Sequence, residues 1–363
     1  EFTVRDTASC PSVTTLGTDT DDCDLGLSYG NPVITKLTSG EWVVMVTSGY
    51  NNVAPGDGKG YLYVLDPITG VIEKKIKAAN ATQSIDPGST ASPLGLAKIN
   101  NWVDDTNVDN TTLRVYGGDM QGNLWRFDPN AGTAFVLAEL KDGRGAATAK
   151  RQPITTKPEL GEANGDALIA VGTGRYLGAS DLPDDQPQSI YTIKDVTNGV
   201  APATPIDARG STVVEQVITD TTDGLGNPIR TITANAVDLA TKDGWRVDLP
   251  ISGERVNVDP RLQLGTLIVA SNIPANDACT AGGYSYLNYL DYKSGSFIAS
   301  SGTNVVGNKI ANSLAVGISV VRLPNKKTVS IVTTSENKYP TLAPPFQAQS
   351  PQGRRNSWRE ITD

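Results

Sequence analysis

The chain has 363 residues, 38% of them hydrophobic, and a formal net charge of −8; at this length that suffices for a core, and the acidity argues against nucleic acid or an anionic membrane surface as a partner. There is no histidine, which removes Ser-His-Asp catalysis, histidine zinc sites and imidazole acid–base chemistry. Gly and Pro, 36 and 22 residues, are scattered, a pattern of many turns rather than of disorder, and no apolar run approaches the ~18 residues of a membrane-spanning helix.

The opening Glu1-Phe2 reads as a cloning remnant and no signal peptide follows, so a fragment of a longer protein is expected. Residues 1–30 are Asp-rich and strand-poor, an N-terminal strap leading into the main domain, 31–363. Cys10 and Cys23 either form a disulfide, which implies an oxidising compartment, or remain two thiols; Cys279 is left over, with a partner expected outside the chain. Asp19, Asp21 and Asp22 give no ligand spacing and read as a solvated acidic loop, as do Asp184 and Asp185.

From residue 31 onward, short β-branched or aromatic runs are bounded by Gly, Asp, Asn or Pro. Strands are predicted at 32–37, 41–47, 60–66, 71–76, 113–116, 123–128, 135–140, 167–172 and 189–193. Further strands are predicted at 213–219, 229–233, 245–249, 266–270, 284–290, 319–323 and 328–333. No helical period exceeds three turns. Residues 78–93, 179–187, 201–227 and 339–355 are predicted loops, the third carrying one or two strands. Gly56-Asp-Gly-Lys-Gly60 lacks the spacing of a phosphate loop and reads as a hairpin turn. Trp42, Trp102, Trp125, Trp245 and Trp358 are singletons expected in blade cores or between blades.

A repeat runs through these strands. Gly60-Tyr-Leu-Tyr-Val-Leu-Asp-Pro-Ile-Thr-Gly70 is echoed by Gly122-Asn-Leu-Trp-Arg-Phe-Asp-Pro-Asn-Ala-Gly132, and more weakly from Ser189, Gly244 and Tyr286. Each copy is an alternating strand, an Asp that caps a turn, and a Gly that supplies positive φ. The spacing is that of propeller blades with decorated loops. The expected fold is all-β, a quinoprotein-like modified β-propeller of six to eight blades, with seven the preferred count; a pair of sandwiches is the alternative.

One loop carries metal-like spacing. In Asp105-Thr-Asn-Val-Asp-Asn-Thr-Thr-Leu113, oxygen side chains recur at every second residue. Aligned with an EF-hand-type loop, Asp105, Asn107 and Asp109 offer side chains and Thr111 a carbonyl to calcium. The competing reading is an Asx-turn loop without an ion.

Several segments resemble, in order, the C-terminal domain of the PilC/PilY family of type IV pilus biogenesis and adhesion factors. They are Asp24-Leu-Gly-Leu-Ser-Tyr-Gly-Asn-Pro32, Trp42-Val-Val-Met-Val-Thr-Ser-Gly-Tyr-Asn51, Gly60 to Gly70 and Arg114-Val-Tyr-Gly-Gly-Asp-Met-Gln-Gly-Asn-Leu-Trp-Arg-Phe-Asp128. Val171-Gly-Thr-Gly-Arg-Tyr-Leu177, Cys279-Thr-Ala-Gly-Gly283 and the ending Gly353-Arg-Arg-Asn-Ser-Trp-Arg-Glu360 complete the set. The resemblance implies a non-catalytic propeller at the pilus tip, outer surface or periplasm of a Gram-negative bacterium. It implies promotion of pilus extension against retraction, adhesion and twitching motility, with minor pilins or a tip complex and surface receptors as partners. It also implies calcium control through the 105–113 loop. The family pattern has a further Asp where this chain has Leu113, a loss of one carboxylate that weakens a calcium site; Asp104 or water is the available compensation. Two other functions remain open: a calcium-dependent quinoprotein-like oxidoreductase, for which no cofactor-stacking set or vicinal cysteine pair is visible, and a generic surface-binding propeller. No Arg-Gly-Asp tripeptide occurs.

Overall fold

The alternating runs pair, in chain order, into twisted antiparallel sheets in the computed structural model, which describes residues 12, 15–104, 108–145, 148–195, 199–275, 282–310, 312–324, 328–343 and 345. The first sheet is β1 (Val33–Lys36), β2 (Trp42–Thr47), β3 (Tyr61–Leu65) and β4 (Ile72–Lys77). The second is β5 (Ile99–Trp102), β6 (Arg114–Gly118), β7 (Asn123–Asp128) and β8 (Thr133–Glu139). The third begins with β9 (Glu159–Ala163), β10 (Asp166–Gly172) and β11 (Ser189–Asp195). An insertion then carries β12 (Ile206–Asp207), β13 (Val213–Thr222) and β14 (Pro228–Ile232) before the fourth strand, β15 (Gly244–Asp248). The fourth is β16 (Arg261–Gln263), β17 (Thr266–Pro274), β18 (Gly283–Asp291) and β19 (Val305–Ile310), and β20 (Ala315–Arg322), β21 (Thr328–Thr334) and β22 (Thr341–Leu342) form a fifth.

The first strands of successive sheets, β1, β5, β9, β16 and β20, are neighbours in that order. They therefore line a common axis, with later strands stepping outward, which is the propeller arrangement. Five blade units are described, and they do not establish the expected count of seven.

Period-2 alternation explains the packing. In β3, Leu62 and Val64 face the second blade in a core with Val115, Trp125 and Phe127, while Tyr61, Tyr63 and Leu65 face Leu25 of the N-terminal segment. Equivalent cores lie between the second and third blades around Tyr116 and Ile169, the third and fourth around Trp245 and Val269, and the fourth and fifth around Leu287 and Val332. The middle strands are consequently buried on both faces.

Blades are also locked to one another by a recurrent polar device. The residues after each second strand bond to the segment entering the next blade. Gly49 donates its N–H to Leu96 O (2.8 Å), Ile154 donates to Asp119 O (2.8 Å), and Val256 donates to Thr173 O (2.9 Å). Near the end of β17 a side chain makes the equivalent joint: Asn272 donates to Ala315 O and accepts from Ala315 N–H at the start of β20, both at 2.9 Å. Close approach at one of these joints demands glycine: a Cβ on Gly118 would lie 2.2 Å from the Ile154 side chain.

The capped turns appear where the repeat places them, between third and fourth strands. Asp66 accepts N–H groups of Ile68 and Thr69, Asp128 those of Asn130 and Ala131, and Asp291 those of Lys293 and Ser294. Gly70, Gly132 and Gly295 close them at φ of 74°, 71° and 68°.

Three expectations need correction. The echo starting at Gly244 is a fourth strand, and its Asp248 binds Arg209 (2.7 Å) and Ser189 instead of capping a turn. Asp22 is not solvated; it is buried against Lys75 Nζ (2.6 Å) and accepts the Tyr63 hydroxyl (2.8 Å). Trp42 is exposed at the start of β2, whereas Trp102, Trp125 and Trp245 are buried as expected; Trp358 lies outside the described residues.

Candidate functional site

The metal-like loop joins β5 to β6. Asp105 and Asn107 lie outside the described residues; Asp109 and Thr111 are described. The second half of the loop is stitched to the end of β1. Thr112 donates its N–H to Lys36 O (2.8 Å), the Thr35 hydroxyl donates to Asn110 O (2.8 Å), and the Thr35 and Thr112 hydroxyls meet at 2.6 Å.

This stitching delivers a lysine to the predicted ligand. Lys36 Nζ lies 2.6 Å from Asp109 Oδ1, which also accepts the Thr111 N–H at 3.1 Å. The ammonium, followed by the Thr111 group, holds the Asp109 carboxyl below its ordinary range. Asp104, the expected compensator, accepts the Trp102 Nε1–H (2.7 Å) and sits 3.8 Å from Arg114. Leu113 is half-buried and donates its N–H to Trp102 O. The described donors thus fit calcium only in competition: Asp109, their one ionised predicted ligand, already faces a cation, and Leu113 adds no oxygen side chain. Sequence spacing could not find Lys36, because it comes from the preceding blade.

The turn between β6 and β7 concentrates a second polar network. Asp119 is completely buried. Its Oδ1 accepts the Gln121 and Asn123 N–H groups at 2.8 and 2.9 Å; its Oδ2 accepts Asn123 Nδ2 and Trp125 Nε1, both at 2.7 Å. Burial pushes its pKa up to about 6, against the pull of those donors. Asp195, at the end of β11, crosses to the second blade, accepting the Tyr116 hydroxyl (2.6 Å) and pairing with Arg126 (2.8 Å). Both carboxylates are thereby committed to joining strands and blades. Cys23 is disulfide-bonded, and Cys10 and Cys279 both lie outside the described residues.

Axially aligned first strands, capped third-to-fourth turns and interlocked second-strand loops define a β-propeller module. A family model for the PilY1 β-propeller domain matches residues 13–149. A type IV pilus biogenesis factor PilY1 homolog from Xylella fastidiosa is 30% identical over 304 residues, covering 77% of this chain and 19% of that protein. The type IV pilus biogenesis factor PilY1 of Pseudomonas aeruginosa is 27% identical over 325 residues, covering 79% of this chain and 27% of that protein. The crystal structure of the Pseudomonas aeruginosa PilY1 C-terminal domain superposes with a TM-score of 0.67 at 22% identity, covering 89% of this chain and 73% of that one. The chain belongs to the PilC/PilY family of type IV pilus biogenesis factors, and it spans about a fifth to a quarter of the length of these curated relatives.

Proposed function

We propose that this chain is the propeller module of a type IV pilus factor that promotes extension against retraction, surface adhesion and twitching motility, and that it performs no catalysis. The observation that carries this reading is its likeness to proteins named as type IV pilus biogenesis factors over more than three quarters of its length. The interior adds support. Asp22, Asp119, Asp195 and Glu254 are each held by cations or N–H and O–H donors inside the fold, with no pair poised as acid and base.

The module acts, in this reading, at the pilus tip, outer surface or periplasm, contacting minor pilins or a tip complex and surface receptors. Residues 1–30, with a Cys10–Cys23 bridge, form its strap; residues 31–363 form the propeller. Its 105–113 loop is the regulatory element. Asp105, Asn107, Asp109 and Thr111 are the proposed calcium ligands, with Lys36 competing for Asp109.

The test is complementation of a strain lacking the parent protein. Parent protein with residues 31–363 deleted should leave piliation and twitching absent; restoration by that deletion would overturn the pilus reading. Asp109→Ala in the full parent protein should alter piliation or twitching; unchanged behaviour would overturn the loop's role alone.

A further inference from the structure

The loop above follows the first strand of its blade, so it lies at one end of the propeller axis. At the other end are the segments entering each first strand and the connections after each second strand. There the structure opens a small cleft of about 150 Å³, below the size range of drug-sized sites and enough for a single ring-sized group. Tyr29, Lys98 and Asn257 come to it from the segments entering β1, β5 and β16, and Tyr50, Tyr176 and Leu177 from the connections after β2 and β10. Four blades therefore build its wall. Its three tyrosines belong to the segments Asp24 to Pro32, Trp42 to Asn51 and Val171 to Leu177 of the sequence, which the 105–113 loop leaves without a role.

The chemistry of the wall selects its ligand. Lys98 Nζ, the one cation among the described lining residues, is neutralised at 2.7 Å by Asp259, which also accepts the Lys157 N–H. Tyr29 and Tyr50 rings sit 5.8 Å apart at 43°, presenting apolar faces. Burial, reinforced by the Asp259 charge, pushes the Tyr50 phenol far above its ordinary range, so it stays protonated. The Asn257 carbonyl accepts an N–H from Asn272 at 2.7 Å. Its amide N–H groups and the hydroxyls of Tyr29, Tyr50 and Tyr176 have no hydrogen-bond partner among the described residues. A purely apolar ligand would leave these groups unpaired on desolvation. A neutral ligand with one C–H face and several hydroxyls satisfies both sets.

We propose that this axial cleft is a binding site for a neutral saccharide, one sugar ring stacking on the tyrosines and hydrogen-bonding to Asn257 and the phenol hydroxyls. The proposal does not depend on the pilus reading and is tested on the isolated chain.

Saturation-transfer difference NMR with lactose and N-acetylglucosamine as probes should show transfer to ring protons of at least one sugar, saturable at millimolar concentration. Tyr176→Ala should weaken it by about tenfold or more. Leu177→Trp, at a half-exposed rim position that tolerates a larger side chain, should block it while the near-ultraviolet circular dichroism stays unchanged. Leu225→Ala, at the exposed tip of the β13–β14 hairpin, should leave it intact. Absence of transfer from both sugars, or transfer untouched by both cleft variants, would overturn the assignment.

Discussion

Single residues here divide into those whose partners are near in sequence and those whose partners are not. Asp119 belongs to the first kind: its four donors lie within six residues. Asp119→Asn turns an acceptor into an amide facing N–H donors, and should lower the unfolding free energy by about 2–3 kcal/mol in urea melts. The pH dependence has a definite sign. Its folded pKa of about 6 exceeds the ordinary value of about 3.9, so the folded chain binds this proton first. The residue's contribution to stability therefore rises as pH falls from about 7 to about 4. The gap between the parent chain and Asp119→Asn should widen across that window; a constant gap would contradict the raised pKa. Lys36 is of the second kind. The alternation of Asp105, Asn107 and Asp109 was legible because ligand spacing is local, whereas the ammonium at 2.6 Å comes from another blade. Removing it by Lys36→Met frees Asp109, so calorimetric titration should find calcium bound more tightly than by the parent chain. Equal or weaker binding would mean that Lys36 does not compete.

At the level of elements, what could be read from sequence depended on distance from the axis. Third strands and their turns were legible because both faces are buried and the turn is an Asp-to-Gly unit. The first strands β5, β9 and β16 were missed. Their sequences, Ile-Asn-Asn-Trp, Glu-Leu-Gly-Glu-Ala and Arg-Leu-Gln, border the axis and are mostly half-buried, so no apolar alternation marks them. Likewise, the acidic run near Cys23 looked solvated because Lys75, its partner, sits on β4. The turns themselves make a clean test. At Gly132 a methyl group would meet nothing within 4 Å, and the backbone φ is 71°. Gly132→Ala should therefore cost only the left-handed backbone penalty, about 1 kcal/mol. Gly118→Ala, facing Ile154 at 2.2 Å, must displace a packed side chain and should cost visibly more in the same melts.

The whole molecule is held together unevenly, and the insertion after β11 explains why. β13 pairs in parallel with β15, and β14 pairs antiparallel with β19. The outer edges of the third and fourth blades thus merge into one ten-stranded sheet. This also hid the blade rhythm in the sequence, because the insertion separates the fourth strand of the third blade from its first three. The pin of this junction is Arg230 on β14, fully buried. It binds both oxygens of buried Glu254 at 2.6 and 2.8 Å and Asp220 at 2.8 Å, and stacks 3.6 Å from the Tyr286 ring centre. Because Glu254 precedes β16, the pair ties the hairpin to the fourth blade. Arg230→Met leaves Glu254 charged and buried without its partner and should cost about 3–5 kcal/mol. Arg230→Met combined with Glu254→Gln should recover part of that, because the stranded charge is gone, while the hairpin remains unpinned. Scanning calorimetry then separates the two effects. If the pin couples blades, the double variant should melt with a van't Hoff enthalpy below the calorimetric one. A single cooperative transition in the double variant would assign the coupling to the strand pairing of β13 and β14 alone.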